Sequence, residues 1–415
     1  MKHSFGFTSC LALAGLLCAP LTAFSAPTSE QMWEIIQKQQ AEIEQLKQEQ
    51  QNTSNAVAET DKKVEATADV LESTGATAVS SKKLEWAEKT KIGGYAEIHY
   101  NNFDNADNEI DAHRFVFFMG HEFSDSVRMF SEFELEHSIA ADGKKGEVEL
   151  EQAYIEWSYA NKHALVAGLY LVPVGILNET HEPNTFYGVE RNLVEKKIIP
   201  VTWWESGLMF KGELAPGLSY DVALHSGLSG SVLNESEEYD LSIRSGRQKS
   251  SEATANDLAY TGRIKYTGIA GLELAATVQY QEDITQGLGI GSEVSDTASP
   301  ATLLETHVIY HAGMFGVRAL YTSWNVSGDY AKSISRDEQT GWYVEPTIKP
   351  FEKIGFFARY SEWDNSVGGA DSKNQVVDIG FNYWLTPEVV FKADYQDASD
   401  YNDNNSYNLG VGWSF

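Results

Sequence analysis

The sequence predicts an all-β protein, a 16-stranded antiparallel transmembrane β-barrel that follows an N-terminal α-helical coiled-coil stem. From residue 91 onward, short segments alternate apolar and polar residues, as strands with one lipid-facing side do. Short turns and long connections alternate between these segments. No run of about 18 apolar residues follows the N-terminal region. Because lipid tolerates no unpaired backbone, a closed barrel is the remaining way for such a chain to span a membrane.

The first 25 residues (1–25) are typical of a secretory signal peptide. A basic start precedes the apolar run LALAGLLCA, and Ala23 and Ser25 supply small residues before the predicted cleavage point. Both cysteines of the chain, Cys10 and Cys18, lie in this segment. We therefore expect an exported mature protein without a disulfide, a thiolate metal site or a catalytic thiol.

Residues 29–72 are predicted to form a periplasmic coiled-coil stem, and residues 73–90 a linker. With Ile36 at heptad position a, most a positions are β-branched, while half of the d positions are polar. Such a seam is weak on its own, so a solvated single helix or a disordered spacer is the alternative. The barrel domain is predicted to cover residues 91–415.

Sixteen strands are predicted from the alternation and from the turn residues between segments. They cover residues 91–103, 112–123, 127–138, 147–160, 163–172, 204–214, 218–227, 257–268, 271–282, 302–312, 316–326, 340–350, 353–363, 374–385, 388–397 and 406–415. We expect the charged faces to line the lumen, because a Lys or Arg facing lipid would cost about 2–4 kcal/mol at mid-membrane. The even strand count places both barrel ends, and the stem, on the periplasmic side.

The third long connection, residues 173–204, is unusually apolar for a loop exposed to water. It carries Phe186, Ile198, Ile199 and Trp203, which need a wall to pack against. In a sixteen-stranded barrel that wall is the lumen, so we expect this loop to fold inward and narrow a channel. The alternative is a capping loop that folds over the barrel mouth.

The run GLYLVPVGILNE…FYGVERN…IIPVTWWESG resembles the fifth-strand and third-loop signature of the phosphate- and polyphosphate-selective porin family. Its most specific parts are the spacing of Gly168, Pro173 and Gly175 and the Glu190-Arg191 pair. The resemblance extends over the predicted barrel. It implies a sixteen-stranded, trimeric outer-membrane protein, with a periplasmic coiled coil in some members, and passive diffusion of anions past lumenal arginines and lysines.

We therefore predict an outer-membrane porin for passive diffusion of small hydrophilic solutes and ions, with anions such as phosphate as one candidate class. The net charge of -29 keeps a weakly selective, cation-preferring or sugar-preferring porin as an alternative. A further alternative is a structural barrel that tethers the outer membrane to the cell wall through its stem. The expected partners are these solutes, outer-membrane lipid, the barrel-assembly machinery and two further copies of the chain in a homotrimer, with no nucleic acid.

Charged residues on the predicted lumen faces are the candidate pore-lining residues, since arginine meets carboxylate or phosphate with two hydrogen bonds. They are Arg128, Arg263, Lys265, Arg318, Arg359, Lys392, Glu132 and Glu134. The candidates on the constriction loop are Glu190, Arg191, Glu195, Lys196 and Lys197. For each cation the alternative is an ion pair that braces the inner wall. Phe415 and Trp413 are predicted to form the assembly signal.

No enzymatic activity is predicted. His113, His121 and His137 lie near Ser131 in sequence, but the sequence does not fix the strand registers that would pair them as a nucleophilic site. The acidic stretch DNADNEID, Asp104–Asp111, is rich in the oxygen ligands of Ca²⁺ and Mg²⁺, but it lacks a glycine and is more typical of a solvated outer loop. We expect no catalytic residue, cofactor or metal site.

Overall fold

A computed structural model of the protein describes residues 47, 85–230, 241, 243–287, 298–365, 373–401 and 403–415. The predicted signal peptide and, apart from Lys47, the predicted stem lie outside these residues, as does the linker up to residue 84. The chain divides into two compact units after Leu84. The unit Glu85–Phe415 is the one described below.

This unit is a closed antiparallel barrel of sixteen strands, which confirms the predicted fold class. The strands are β1 (Thr90–Phe103), β2 (Glu109–Ser124), β3 (Val127–Glu136), β4 (Val148–Ala160), β5 (His163–Leu171), β6 (Trp204–Ala215), β7 (Leu218–His225), β8 (Ala259–Tyr266), β9 (Leu272–Gln281), β10 (Ala301–Ala312), β11 (Phe315–Val326), β12 (Glu338–Phe351), β13 (Ile354–Asp364), β14 (Asn374–Thr386), β15 (Val389–Asp397) and β16 (Ser406–Ser414). Two short helices, α1 (Leu193–Lys197) and α2 (Asp329–Ser333), lie in the connections. Within the described ranges, no helix is long and apolar enough to cross a membrane.

The last strand closes the barrel against the first. β1 and β16 run antiparallel, with Tyr95 opposite Ser414. Phe415 extends this ladder, because its N–H donates to the Gly94 carbonyl (2.9 Å) and its carbonyl accepts from the Gly94 N–H (3.0 Å). The end of the chain is therefore held in the sheet.

Short turns and longer connections alternate around the barrel. Two-residue turns join strands at one end, at 125–126, 161–162, 216–217, 313–314, 352–353 and 387–388. The opposite end carries the long connections, including residues 172–203 and 226–258. This alternation is typical of outer-membrane barrels. It brings the two long connections to the same mouth of the barrel.

The strands present apolar side chains outward and polar side chains inward. On β14, Ile379 is 57% exposed, whereas Asp378 and Asn382 are buried. On β15, Phe391 is exposed and Lys392 is buried. The buried polar side chains face a lumen that is largely filled, because a long loop packs against them.

A β-bulge in β4 interrupts this alternation. Glu132 pairs with Gln152, but the next pair joins Phe133 to Leu150, so Glu151 is the extra residue. Glu151 is buried, and the Gln152 amide donates to the Glu132 carboxylate inside the barrel (2.6 Å). Two consecutive residues of β4 therefore face the lumen, which strict alternation forbids.

Candidate functional site in the barrel lumen

The third loop, residues 172–203 between β5 and β6, lies against the inner wall of the barrel. The Val189 N–H donates to Asp394 of β15 (2.6 Å), and the Trp324 indole of β11 donates to the Ile198 carbonyl (2.9 Å). These contacts reach strands on widely separated parts of the wall. The loop therefore crosses the lumen and does not fold over the mouth.

Apolar packing holds the loop in this position. Ile198, Ile199 and Trp203 are fully buried, and they share one core with Leu320 and Trp324 of β11. Burial of apolar surface contributes about 25 cal/mol per Å². The apolar residues that are unusual for a water-exposed loop are thus explained by contact with the wall.

Glu195 of α1 fastens the loop from within. Its carboxylate accepts the N–H groups of Ile176 (2.9 Å) and Leu177 (2.7 Å) and the hydroxyl of Tyr343 on β12 (2.8 Å). Burial raises the pKa of Glu195, while these hydrogen bonds act in the opposite direction. Glu195 therefore orders the backbone of the loop and does not face open space.

Glu190, the second acidic candidate on the loop, contacts β1. Its carboxylate lies 3.0 Å from His99 Nδ1 and accepts from the Asn101 amide (3.2 Å). Although burial acts to raise it, the hydrogen bond and charge of His99 hold the pKa of Glu190 well below its usual value. Lys197, by contrast, lies over the ring of Tyr401 (5.7 Å).

Arg263, a predicted pore-lining cation, is paired. Its guanidinium bridges Asp221 of β7 (2.8 Å) and Glu179 of the third loop. Lys265 lies beside it, and both line a cavity of about 500 Å³ near the turn at 161–162. Arg263 thus braces the loop against the wall.

Arg359 and Lys392 lie on the opposite side of the lumen and differ in their partners. Arg359 contacts Asp378 (3.0 Å) and Glu345 (3.1 Å). The Lys392 ammonium lies 3.5 Å from the centroid of the Phe186 ring and has no hydrogen-bond partner within the described ranges. A desolvated cation over an aromatic face is a favourable contact, but it leaves the charge of Lys392 uncompensated.

The structure also gives the positions and contacts of the remaining predicted lumen residues. Arg128 is half-exposed and pairs with Glu156 (2.8 Å). Arg318 donates to the Thr185 carbonyl of the third loop (2.8 Å). The two predicted acidic residues, Glu132 and Glu134, are buried on the lumen face of β3.

A cavity of about 330 Å³ lies beside the third loop. Its cations come from the third loop and from the connection between β7 and β8, and they are Arg191, Lys196, Arg244, Arg247 and Lys249. The acidic residues of the facing wall are Glu136, Glu147, Glu149 and Glu151. Glu190 of the third loop also lines the cavity, so the side that carries the cations includes one acidic residue.

Two of these five cations, Arg244 and Arg247, contact backbone carbonyls. Arg244 donates to the carbonyls of Lys196 (3.2 Å) and Val201 (2.7 Å), and Arg247 donates to the Thr202 carbonyl. Burial lowers the pKa of Arg244 to about 10, and repulsion from Arg247 adds to this effect. Burial also lowers the pKa of Lys196.

Arg244, Arg247 and Lys249 are absent from the residues that the sequence predicted. The basic run RSGRQK in an otherwise acidic connection is the signal that could have found them. Glu151, which lines the cavity, and His181, which lies beside Glu151, left no comparable signal in the sequence, since one belongs to a bulge and the other to an irregular loop.

The predicted assembly residues lie at the end of the closing strand. The Phe415 ring is exposed on the outer surface, 6.1 Å from the Phe115 ring, and Trp413 pairs with Ala96 and Val389. This places the last aromatic side chain on the lipid-facing side.

Residues 208–412 match the model of the Gram-negative porin family. A relative in Aquifex aeolicus (strain VF5), an uncharacterized protein, is 29% identical over 371 residues, or 81% of this chain and 82% of the relative. The fold is similar to that of OmpT, an outer membrane protein of Vibrio cholerae, in its trimer form. That likeness has a TM-score of 0.53 at 12% identity and covers 79% of this chain and 99% of that one.

The fold is also similar to that of an anion-selective porin from Comamonas acidovorans. Here the TM-score is 0.55 at 9% identity, over 79% of this chain and 99% of that one. These two likenesses establish the fold alone. Together, the family match and the closed barrel support an outer-membrane porin channel rather than an enzyme.

Proposed function

We propose that the protein is an outer-membrane channel for passive diffusion of small hydrophilic solutes and ions, with the third loop as its constriction and small anions as the preferred solutes. The observation that carries this proposal is the third loop itself, which crosses the lumen and borders a cavity of about 330 Å³. A loop whose apolar side contacts the wall and whose cations border the cavity would narrow the path of a solute and contribute to its charge.

The arrangement of charges favours anions. Within the described ranges, no carboxylate lies within 4.0 Å of the cationic groups of Arg191, Lys196, Arg244 or Arg247. On the facing wall, Glu147 and Glu149 are both paired with Lys249. Rings of uncompensated positive side chains select anions in pores. Carboxylate or phosphate groups suit arginine in particular, because its planar fork donates two parallel hydrogen bonds.

The trimeric state and the orientation belong to the same proposal. The OmpT neighbour was solved in a trimer form, and the family resemblance implies a trimer for this chain. The short turns would face the periplasm, together with the stem, and the long loops would face the exterior. The barrel-assembly machinery and contact of the stem with the cell wall remain proposed partners.

The test is the reversal potential of the purified protein in planar lipid bilayers under a KCl gradient. We expect a preference for Cl⁻ over K⁺, and a several-fold lower preference after the double substitution Arg244→Gln/Arg247→Gln. Arg128→Gln is the matched control, because Glu156 keeps Lys211 as a second partner (2.5 Å). The control should leave the selectivity unchanged.

Each other outcome points to one alternative. A preference for K⁺ in the unmodified protein would contradict anion selectivity and favour the cation-preferring porin. Absence of any conductance would contradict the channel and favour a structural barrel. An equal effect of the control would mean that general lumen charge, and not the loop cations, sets the selectivity.

A further inference from the structure

A buried polar cluster joins the third loop to the wall of the barrel. It contains His181 of the loop, Glu132 of β3 and Glu151 of β4, whose side chains are at most 6% exposed. One nitrogen or oxygen of each side chain lies within 4.8 Å of the other two. Glu151 also lines the cavity of about 330 Å³ described above, whereas Glu132 and His181 do not.

The tautomer of His181 is set by its surroundings. Nδ1 lies 3.2 Å from the Asn178 carbonyl. Because a carbonyl can only accept, Nδ1 carries a proton and donates to it, which leaves Nε2 as the nitrogen that a cation could bind in the neutral ring. Within the described part of the chain, Nε2 has no hydrogen-bond partner. Histidine ligands of metal ions are typically held in this way, with the second ring nitrogen donating to a backbone carbonyl.

The distances within the cluster suit a shared ion better than direct hydrogen bonds. His181 Nε2 lies 3.6 Å from Glu151 Oε2 and 3.9 Å from Glu132 Oε1. Hydrogen bonds between nitrogen and oxygen are shorter, at about 2.7–3.2 Å. Two ligands that each lie about 2.0–2.2 Å from one zinc ion are separated by about 3–4 Å.

Both carboxylates are directed at His181 by features of the wall. Glu151 is the extra residue of the β4 bulge, and its Oε2 has no hydrogen-bond partner within the described ranges. The Gln152 amide holds the other oxygen of Glu132 (2.6 Å), which leaves Oε1 facing the cluster. The bulge thus supplies both a carboxylate and the group that orients its neighbour.

The buried acidic side chains of this region would favour a bound cation. Glu134 is a third buried acidic side chain beside Glu132 and Glu151. The nearby guanidinium of Arg114 contacts Glu97 (2.5 Å) and the His181 carbonyl (3.1 Å), and its Nη1 has no hydrogen-bond partner within the described ranges. Buried carboxylates are stable when they are paired or coordinate a metal. A divalent ion would compensate the remaining negative charge.

We infer that Glu132, Glu151 and His181 bind a divalent first-row transition metal ion, for which Zn²⁺ is the experimental probe. The imidazole nitrogen favours such an ion over Ca²⁺ or Mg²⁺, which prefer oxygen ligands alone. The ion fastens the third loop to β3 and β4. This role does not depend on which solute passes through the barrel.

The experiment measures zinc in the full-length mature protein without an affinity tag. Folded protein in detergent is incubated with Zn²⁺, passed through gel filtration in metal-free buffer and analysed by elemental mass spectrometry. A single equivalent per chain is expected. His181→Asn should lose it, because the amide replaces the Nδ1–H toward Asn178 but removes Nε2. The affinity should fall by more than the about 10–100-fold typical of second-shell changes.

Two further variants make the result specific. Glu151→Gln keeps the size of the side chain and should also weaken zinc binding. Asp111→Asn is the control, because Asp111, His113 and His137 form a second group of three ligand atoms within 4.8 Å of one another. The control should retain the zinc of the buried cluster. Resistance of each barrel to SDS before heating verifies its folding.

Several results would overturn the inference. They are failure of the unmodified protein to retain zinc, full retention by folded His181→Asn or Glu151→Gln, and loss in Asp111→Asn alone. Displacement of zinc by equimolar Ca²⁺ would also overturn it, because an oxygen-only site would then explain the binding.

Discussion

The barrel wall and the third loop use apolar side chains in opposite ways. On the wall, Ile379 and Leu409 face outward and are exposed, because the lipid around the barrel is their solvent. In the loop, Ile198 and Trp203 are fully buried against the lumen side of that wall. The wall is periodic and the loop is not. Lipid contact explains apolar residues that alternate with polar ones along a strand. The apolar residues of the loop do not alternate in this way, and their composition therefore predicts that the loop is buried.

The lumen cations show a second contrast between wall and loops. On the wall, Arg263 and Arg359 each lie between two carboxylates. In the long loops, Arg244 and Arg247 donate to backbone carbonyls. A paired guanidinium mainly stabilises its surroundings, whereas a guanidinium held by carbonyls keeps its positive charge available to a solute. The same residue type thus stabilises the wall in one region and, under the proposed function, would contribute to selection in the other.

The largest effect on the free energy of unfolding is expected when a paired arginine of the wall is replaced. Arg359→Met leaves Asp378 and Glu345 as buried carboxylates without their shared partner. We expect a loss of about 3–5 kcal/mol in the free energy of unfolding. Lys392→Met is the matched control on the same side of the lumen. It should cost less than about 1 kcal/mol, because Lys392 lies over an aromatic ring and has no ion pair to lose.

Urea unfolding of barrels refolded into lipid vesicles measures both variants. Equal losses would mean that carboxylate pairing is not what distinguishes the two cations. Unchanged stability of Arg359→Met would place this arginine with the loop cations, as a group available to solutes.

The distinction between wall and loop also marks how far the sequence predicts the structure. Each of the sixteen strands lies where alternation predicts it, with ends that differ by a few residues. The lipid requires an apolar residue at every second position of each strand, so the pattern repeats and can be read. The inward position of the third loop could also be predicted, because its apolar residues need a wall to pack against.

The details of the lumen could not be predicted, because they depend on contacts between distant parts of the chain. Glu151 faces inward through a bulge that has no sequence signature. Arg244 reaches Val201 from another loop, and the sequence contains no register that relates two irregular segments. Of the predicted wall cations, Arg263, Arg359 and Lys392 are buried, but their partners depend on the fold of the third loop.

An intermediate effect on the free energy of unfolding is expected when a charge is placed on the lipid-facing side of the wall. Ile379→Lys places a charge on the lipid side of β14, at a cost of about 2–4 kcal/mol near mid-membrane. Gln396→Lys places the same charge on the lumen side of the neighbouring β15, where Gln396 already donates to Asp378 (2.8 Å). This control should be close to neutral. The same unfolding measurement applies, and equal costs would contradict the assignment of faces.

The smallest effect on stability is expected at the end of the chain, where the last residue of the closing strand is also part of the predicted assembly signal. Phe415 pairs with Gly94 through its backbone, and its ring remains exposed beside Phe115. A fully buried Phe→Ala change costs about 3–5 kcal/mol, so this exposed site should cost much less. We expect Phe415→Ala instead to lower the amount of folded protein that reaches the outer membrane, because we propose that this aromatic end takes part in sealing the barrel and in recognition by the assembly machinery. The inserted fraction should keep normal single-channel conductance. Phe391→Ala, which removes an outward aromatic residue from β15, is the control and should leave the yield unchanged. Normal yield with altered conductance would mean that Phe415 supports the pore and does not direct assembly.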